Sequence, residues 1–250
     1  MVPIADGGVT VLVTRSEPGA SVLAHALQAA GYVVQCVPVL EIRPLDASSG
    51  DVVELDSFDI AICVLGHAAR LALDRFDAPS KRHPDVTWVA VGAATARALA
   101  EHGIDALRPA NESSEGILAL APLGRVVGQR VLICAGRGGR PLLAEELTKR
   151  GARVRSLALY ERVPVPAERV ASRLAGAAID AVIVSSADGA RAFAPAWRAA
   201  AGDPRVAVVA PSARVAQELT GLGFRRVTVA DGAAAPATID ALRKLDEESR

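Results

Sequence analysis

The sequence predicts an α/β protein in which a doubly wound parallel sheet is present twice, and three observations lead to this fold class. Six short runs of aliphatic and β-branched residues are each followed by a turn of small or polar residues and then by a pattern of helical period. Runs such as Ala181-Val-Ile-Val are apolar throughout, which is typical of strands buried on both faces of a parallel sheet. The third observation is that part of the chain repeats itself.

The repeat relates residues 11–44 to residues 131–164, which align without a gap and are identical at 10 of 34 positions. The identical positions include turn, core-face and helix-end residues: Gly19 and Gly139, Leu23 and Leu143, Leu27 and Leu147, Gly31 and Gly151, Glu41 and Glu161, and Pro44 and Pro164. The segment that begins at Asp59 matches the one that begins at Asp180 at nearly the same offset. We therefore expect two similar modules with a cleft between them, and clefts between domains are where small-molecule ligands preferentially bind.

The elements follow the patterns in order. Strands are expected at 9–14, 60–64, 86–91, 130–134, 181–185 and 205–210, and the helices after them at 18–30, 67–75, 94–102, 140–150, 188–199 and 212–221. Shorter strands are expected at 33–37, 105–108, 153–158 and 226–229, with further helices at 114–121, 168–176 and 237–246. Glycines that can adopt a left-handed conformation should end four helices: Gly31, Gly103, Gly151, and Gly221 or Gly223.

The composition argues against several classes of protein. Lys and Arg together number 28, as do Asp and Glu, so no net field is available to attract a nucleic acid. No apolar run approaches the roughly 20 residues that span a bilayer, and the amino-terminal segment lacks an export signal, so we expect a cytoplasmic protein that does not enter a membrane. The three cysteines show no metal-ligand spacing and are interpreted as reduced, buried thiols.

Two strand-like segments flanked by proline, 37–44 and 157–166, occupy equivalent positions in the two copies. Proline biases its predecessor toward an extended conformation, so both segments are candidate ribbons between domains. If the chain crosses at both places, residues 45–156 form one domain and the two ends form the other. A simple division near residue 120 fits the periodicity equally well.

Polar residues recur where the predicted strands meet the next helices. These residues are Thr14-Arg15-Ser16, Gly92 to Thr95, Gly136 to Arg140, Ser185-Ser186 and Pro211-Ser212. Helix N-termini present unpaired amide donors, so several of them around one cleft could bind carboxylates or phosphates. Ordinary N-capping also explains each site taken singly. No nucleophile triad or phosphate-binding loop is recognisable, and residues 135–140 lack the glycine spacing of a dinucleotide fold.

At these residues the chain resembles the uroporphyrinogen-III synthase family. The likeness extends through nearly the whole length and is carried by short motifs in a specific order: Thr14-Arg15 with Gly31 and Pro38, Val91-Gly92 with Thr95-Ala96 and Gly103, Ser113 with Glu115-Gly116, Leu132 to Arg140 with Leu147 and Gly151, Tyr160-Glu161-Arg162, Ser185-Ser186, and Ser212 with Arg214 to Ala216 and Gly221 to Phe224. The most specific of these motifs is Tyr160-Glu161-Arg162.

The resemblance implies two flavodoxin-like domains: residues 1–37 with 165–250, and residues 44–156, joined by linker strands at 38–43 and 157–164. It implies an enzyme that cyclises the linear tetrapyrrole hydroxymethylbilane, which bears eight carboxylates, to uroporphyrinogen III. The last pyrrole ring is inverted through a spirocyclic intermediate and water is lost, without a cofactor or a metal. Positioning supplies much of such a reaction, on the order of 7–11 kcal/mol in well-oriented systems, so the lack of a triad is expected.

The resemblance also assigns roles to residues. Tyr160 is the candidate for assisting departure of the hydroxyl, although the same tyrosine could merely pack a hinge. Thr95, Ser186 and Ser212 match positions that line the cleft and are assigned to carboxylate binding, together with Thr14 and Ser185. Arg15 and Arg137 are candidates for neutralising further carboxylates, and the alternative for both is an ordinary solvated arginine.

The sequence departs from the family pattern at residues 64–67, Val-Leu-Gly-His, where a Thr-Ser pair and an Asn are usual. The alternative function is therefore a noncatalytic or regulatory relative that keeps a two-domain ligand-binding cleft. A periplasmic solute-binding protein is a third reading, against which the missing export signal argues. We further expect a monomer, to which the preceding pathway enzyme could deliver hydroxymethylbilane.

Overall fold

The computed structural model describes residues 8–46, 54–75 and 85–248. The chain divides by its internal contacts into two compact units, which we call unit 1 and unit 2. Unit 1 consists of Met1–Glu41 and Val163–Arg250, and unit 2 consists of Ile42–Arg162.

The strands and α-helices of the described residues follow one another along the chain. Their bounds are β1 (Thr10–Val13), α1 (Gly19–Ala29), β2 (Val33–Cys36), β3 (Leu40–Pro44), β4 (Ile60–Cys63), α2 (Gly66–Arg75), β5 (Thr87–Ala90), α3 (Ala93–Ala100), α4 (Ser114–Leu118), β6 (Arg130–Gly136), α5 (Leu142–Lys149), β7 (Arg153–Pro164), α6 (Ala167–Leu174), β8 (Ala181–Ile183), α7 (Ala187–Ala199), β9 (Ala207–Ala210), α8 (Ala213–Gly221), β10 (Arg226–Val229) and α9 (Ala235–Glu248). Two 3₁₀ turns lie at Leu55–Ser57 and Ala121–Gly124.

The sheet of unit 1 has five strands in the order β10-β9-β8-β1-β2, and every pair is parallel. Its central strand pairs are in close register, with Val11 opposite Val34 on one side and Ala181 on the other. Taken in chain order, the strands of this sheet have the flavodoxin-like order 2-1-3-4-5.

The core of unit 1 has two halves because alternate strand residues point to opposite faces of the sheet. On one face Leu12, Val182 and Val208 pack with the apolar residues of α6, α7 and α8, including Phe193 and Leu219. The opposite face carries Val11, Val13, Ile183 and Val209, which pack with α1 and α9 through Leu23, Leu27, Leu242 and Leu245. The helices therefore cover both faces, as the continuous apolar runs predicted.

The sheet of unit 2 has the order β3-β7-β6-β4-β5. The pairs from β7 to β5 are parallel. The edge pair is antiparallel, because the Leu45 amide donates to the Leu159 carbonyl while the Val165 amide donates to the Val39 carbonyl. One face packs on α2 and α3, and the other on α4 and α5.

The two units are permuted versions of one arrangement. The segment β6–α5–β7 of unit 2 corresponds to β1–α1–β2 of unit 1, which is the repeat found in the sequence. The helices of both copies end alike: Gly31 and Gly151 take left-handed conformations, with φ of 94° and 87°, immediately after α1 and α5. These glycines end the two helices as predicted, because left-handed backbone is accessible to glycine without steric cost.

The structure departs from the predicted elements at three places. The strand expected at 105–108 is reduced to one bridge between Leu107 and Val89. The strand and ribbon expected between 153 and 166 are a single strand, β7, with an irregular register between Ala135 and Gly136 of its neighbour β6. The helix expected at 114–121 ends at Leu118, and a 3₁₀ turn that contains Pro122 follows.

The cysteines of the chain form no disulfide, and Cys63 and Cys134 are buried directly opposite each other on β4 and β6, whereas Cys36 is half-buried. None of the helices in the described part of the chain combines the length and the apolar character that crossing a membrane would need.

We expect Phe193→Ala to destabilise unit 1 by about 3–5 kcal/mol, because it would leave a cavity in a close-packed core. The Phe193 ring is fully buried, with centroids 5.4 Å from the Trp197 ring and 5.7 Å from the Phe224 ring. Urea unfolding followed by Trp197 fluorescence in a Trp88→Phe background measures this unit, since the only other tryptophan lies in unit 2. Val22→Ala, at a position that is 61% exposed, is the control and should change stability by less than about 0.5 kcal/mol; equal losses would contradict the prediction.

Candidate active site

The strand order of each unit determines where a ligand would bind. In doubly wound sheets, ligands bind beyond the carboxyl ends of the strands, at the point where the strand order reverses. That point lies between β1 and β8 in unit 1 and between β6 and β4 in unit 2. Most of the residues singled out from the sequence follow these strands.

The residues after β1 hold the neighbouring segments in place. The buried Thr14 hydroxyl donates to the Ile183 carbonyl of β8 at 2.8 Å, and the Ser16 hydroxyl donates to the Leu40 carbonyl at 2.6 Å. The half-buried Arg15 side chain extends over Gly19 at the start of α1, and its Nη1 donates to the Ala233 carbonyl at 3.3 Å. Of Thr14, Arg15 and Ser16, only Arg15 carries a charge.

Serines begin two helices of unit 1 at the same edge of the sheet. Ser186 caps α7 by accepting a hydrogen bond from the Gly189 amide at 3.0 Å, and Ser212 caps α8 by accepting one from the Val215 amide at 3.5 Å. Each cap leaves the hydroxyl proton of the serine available, because a hydroxyl both accepts and donates. Ordinary capping and ligand binding are therefore compatible at these two positions.

Ser185 lines a shallow recess at the carboxyl ends of β8, β9 and β10. The recess encloses about 10 Å³ and is also lined by Val184, Pro211, Gly232 and Thr238. This is about the volume of one water position, so the recess is part of a surface and not a pocket for a whole ligand.

In unit 2, β6 ends beside Tyr160 of β7. The Tyr160 ring lies against Gly136, where a Cβ atom would come within 2.5 Å of Cε2. The register irregularity between Ala135 and Gly136 brings Tyr160, and not Leu159, opposite this glycine. The Tyr160 side chain is fully buried, and its hydroxyl accepts a hydrogen bond from Arg162 Nη2 at 3.2 Å.

Burial raises the pKa of the Tyr160 phenol above its ordinary value. The positive charge of Arg162 and a hydrogen bond from the Gly136 backbone lower this pKa, but burial dominates. The phenol is therefore protonated throughout the neutral pH range, as a hydrogen-bond donor or proton source must be.

Glu161 of β7 and Arg137, which follows β6, form an ion pair on the surface. Arg137 Nη1 contacts Glu161 Oε2 at 3.2 Å, and the arginine side chain is 64% exposed. Exposed ion pairs contribute about 0–1 kcal/mol, so Glu161 restrains Arg137 only weakly.

The other strand ends of unit 2 are less polar than their counterparts in unit 1. Val64 and Leu65 follow β4, where unit 1 has Ser185 and Ser186, and the side chain of His67 lies outside the described residues. After β5, Gly92 stands where unit 1 has Ser212. Thr95 lies within the first turn of α3 and is buried.

A carboxylate from another loop replaces the missing cap of α3. The Ala93 amide donates to Glu112 Oε1 at 2.7 Å, and any side chain at position 92 would collide with this carboxylate. The sequence analysis did not single out Glu112. The available signal was a glycine at the cap position followed by an acidic residue in the next loop, a pattern too general to be recognised without the structure.

The structure thus brings the predicted residues together as two groups, each described within its own unit. Thr14, Arg15, Ser185, Ser186 and Ser212 follow the carboxyl ends of the unit 1 strands. In unit 2, Arg137 follows β6, Thr95 lies in the first turn of the helix after β5, and Tyr160 lies on β7 beside the end of β6. The described residues contain no cluster of three His, Cys, Asp or Glu side chains that could hold a metal ion.

The fold places this chain among two-domain α/β proteins, and comparisons with known proteins identify the family. The family model described as uroporphyrinogen-III synthase HemD matches residues 21–240. Uroporphyrinogen-III synthases of Salmonella typhimurium and Escherichia coli are each 29% identical over 245 residues, covering 94% of this chain and 100% of those proteins. Because the family model matches most of the chain, the chain belongs to the uroporphyrinogen-III synthase family.

Solved structures agree with the fold. The uroporphyrinogen-III synthetase of Helicobacter pylori is similar with a TM-score of 0.66 at 13% identity, covering 95% of this chain and 99% of that one. A mutant uroporphyrinogen III synthase of Thermus thermophilus is similar with a TM-score of 0.60 at 19% identity, covering 96% and 99%. The family, the two-domain α/β fold and the enzymatic activity predicted from the sequence, that of a cyclising lyase of tetrapyrrole biosynthesis, are confirmed.

We expect Gly136→Ala to destabilise unit 2 by about 1–3 kcal/mol, because its methyl group would overlap the Tyr160 ring in a buried site. Gly124→Ala is the matched control: it lies in the same unit with no atom within 4 Å of the added Cβ, and should be neutral within about 0.5 kcal/mol. Urea unfolding followed by Trp88 fluorescence in a Trp197→Phe background measures both variants. A stable Gly136→Ala protein would show that the close approach of ring and backbone is not required.

Proposed function

We propose that this chain cyclises hydroxymethylbilane by binding its carboxylates at the polar strand ends and by placing the Tyr160 phenol at the departing hydroxyl. The proposal depends chiefly on the geometry of Tyr160, a buried phenol on β7 beside Gly136, at the carboxyl end of the switch-point strand β6. The similarity to synthases disfavours the alternative, a noncatalytic relative, which the apolar residues Val64 and Leu65 after β4 had motivated.

Carboxylate binding is assigned to the strand ends of both units. Ser186 and Ser212 have hydroxyl protons to donate, and the adjacent N-terminal amides of α7 and α8 provide the partial positive charge that anions prefer. Ser185, after β8, and Thr95, in the first turn of the helix that follows β5, are assigned to the same role by position. Thr14 acts mainly by holding β1 to β8, since its hydroxyl proton is donated to Ile183.

Arg15 and Arg137 are proposed to neutralise further carboxylates. A substrate carboxylate can take the place of Glu161 on Arg137 at little cost, because the present pair is exposed and weak. Charge-assisted hydrogen bonds to arginine are shorter and about twice as strong as neutral ones.

Tyr160 is assigned to the leaving hydroxyl. The phenol would donate its proton to the hydroxyl oxygen as the C–O bond breaks, so that water departs. The proton lost when the macrocycle is completed can restore the phenol, and no external reactant is consumed. The family's reaction needs no cofactor, and orientation of the terminal ring accounts for the isomer that forms.

We also propose the domain boundaries that the sequence predicts. They are a discontinuous domain at residues 1–37 and 165–250, a second domain at 44–156, and linker strands at 38–43 and 157–164. We further propose a cytoplasmic monomer that receives hydroxymethylbilane from the enzyme that makes it. Analytical ultracentrifugation tests the monomer.

The activity is tested with freshly made hydroxymethylbilane, oxidation of the products and separation of the type I and type III isomers. The substrate closes spontaneously to type I, so type III product above the enzyme-free control reports the activity of the enzyme. We expect such an excess of type III product. Product that is entirely type I would exclude the synthase and favour the noncatalytic relative.

Tyr160→Phe is expected to lower kcat for type III about 100-fold or more, which is the usual contribution of a general acid, and to shift the product toward type I. Tyr32→Phe removes the only other tyrosine, which lies in unit 1, and should leave the rate unchanged. A Tyr160→Phe variant with the wild-type rate would remove Tyr160 from the mechanism.

Ser186→Ala and Ser212→Ala are each expected to raise KM about 10- to 150-fold with little change in kcat, because each loses a hydrogen bond to a charged group worth about 1.5–3 kcal/mol. Ser57→Ala is the control, since Ser57 precedes the amino end of β4 and its hydroxyl donates to the Glu54 carbonyl. Steady-state kinetics of type III formation measure all three. An unchanged KM in both cap variants would show that these serines act only as caps.

A further inference from the structure

Arg162 contacts the one group to which the proposed mechanism assigns proton transfer. Tyr160 and Arg162 are two residues apart on β7, so their side chains point to the same side of the strand. The guanidinium carbon lies 5.5 Å from the centroid of the Tyr160 ring, and Nη2 donates to the phenol oxygen at 3.2 Å. Arg162 thus covers both the ring and the hydroxyl.

This cover has a consequence for any reaction at Tyr160. The Tyr160 residue has no exposed surface, whereas Arg162 is half-buried and reaches solvent. A substrate can contact the phenol only after the group that lies on it has moved. Arg162 is the charged side chain that lies on it, whereas the other polar group at the phenol, the Gly136 backbone, belongs to strand β6.

The bond between Arg162 and Tyr160 is one that a carboxylate can replace. A guanidinium forms a planar fork that matches a carboxylate in two hydrogen bonds, whereas a neutral phenol oxygen accepts only a single bond from it. Within the described part of the chain, Arg162 makes no ion pair, in contrast to Arg137 with its partner Glu161. The substrate, in the proposed function, brings eight carboxylates.

We propose that Arg162 binds a carboxylate of the substrate and that its transfer from Tyr160 to this carboxylate uncovers the phenol. Substrate binding and exposure of the proton donor are then one event. The inference rests on the proposed function and adds to it a binding residue that controls when Tyr160 becomes accessible.

The transfer is measured by the nuclear magnetic resonance signal of tyrosine labelled with ¹³C at Cζ, in a Tyr32→Phe background where Tyr160 gives the only signal. Uroporphyrinogen I is the probe, because it keeps the eight carboxylates and has no hydroxyl to lose. We expect the probe to move the signal toward the position that Arg162→Met shows without the probe. A bound probe that leaves the signal in place, or that moves it as far in Arg162→Met as in the parent, would overturn the proposal.

Kinetics provide a second readout. Arg162→Met is expected to raise KM about tenfold or more. Arg162→Lys, which keeps the charge but loses the planar fork, should fall between this variant and the parent. Near-ultraviolet circular dichroism tests whether both variants fold. If the methionine variant does not fold, the magnetic resonance titration is made on the lysine variant. An unchanged KM in folded variants would contradict carboxylate binding by Arg162.

These outcomes are separate from a failure of the proposed function. Wild-type protein that forms only the type I isomer would exclude synthase activity, yet the response of the Tyr160 signal to uroporphyrinogen I requires no turnover. A Tyr160→Phe variant with the parent rate would remove the catalytic reason for uncovering the phenol and would overturn the inference together with that residue's role.

Discussion

The parallel pairing of β1 with β8, and of β6 with β4, is the constraint on which the candidate site depends. Parallel strands direct all their carboxyl ends to one edge of the sheet, and the helices that follow begin at that same edge. The amide groups at these helix starts have no partners within the helix. A sheet of this order therefore presents hydrogen-bond donors where its strand order reverses, before any particular side chain is considered, and these donors suit a substrate with many carboxylates.

A second constraint is the close approach of β6 and β7 at Gly136. The backbone has room for the Tyr160 ring only because position 136 has no side chain. The local change of register brings Tyr160 opposite this glycine. Burial there raises the pKa of the phenol further above neutral pH, and the Gly136 backbone and Arg162 are its polar neighbours. One irregularity in a strand pair thus determines the orientation and the burial of the tyrosine.

The two units differ in the groups that cap the helices after their strands. Unit 1 uses the hydroxyls of Ser186 and Ser212 at the starts of α7 and α8. Unit 2 has Leu65 and Gly92 at the equivalent positions, and α3 receives its cap from the carboxylate of Glu112. The substitutions at residues 64–67 therefore alter the polarity of one strand end without removing the sheet order, because that order depends on the buried apolar residues and not on the caps.

The sequence by itself determined the parallel strands of the two sheets, their repeated module and the glycines that end α1 and α5. These features follow from periods of two and 3.6 residues and from single glycines, all of which are local patterns. It also indicated the serine caps and the tyrosine motif. Only the tertiary structure decided that Glu112 reaches Ala93, that residues 105–108 provide one bridge and no strand, and that Arg162 lies over Tyr160. The reason is physical: these contacts depend on how side chains and separate segments pack, and no local period records the distance between them.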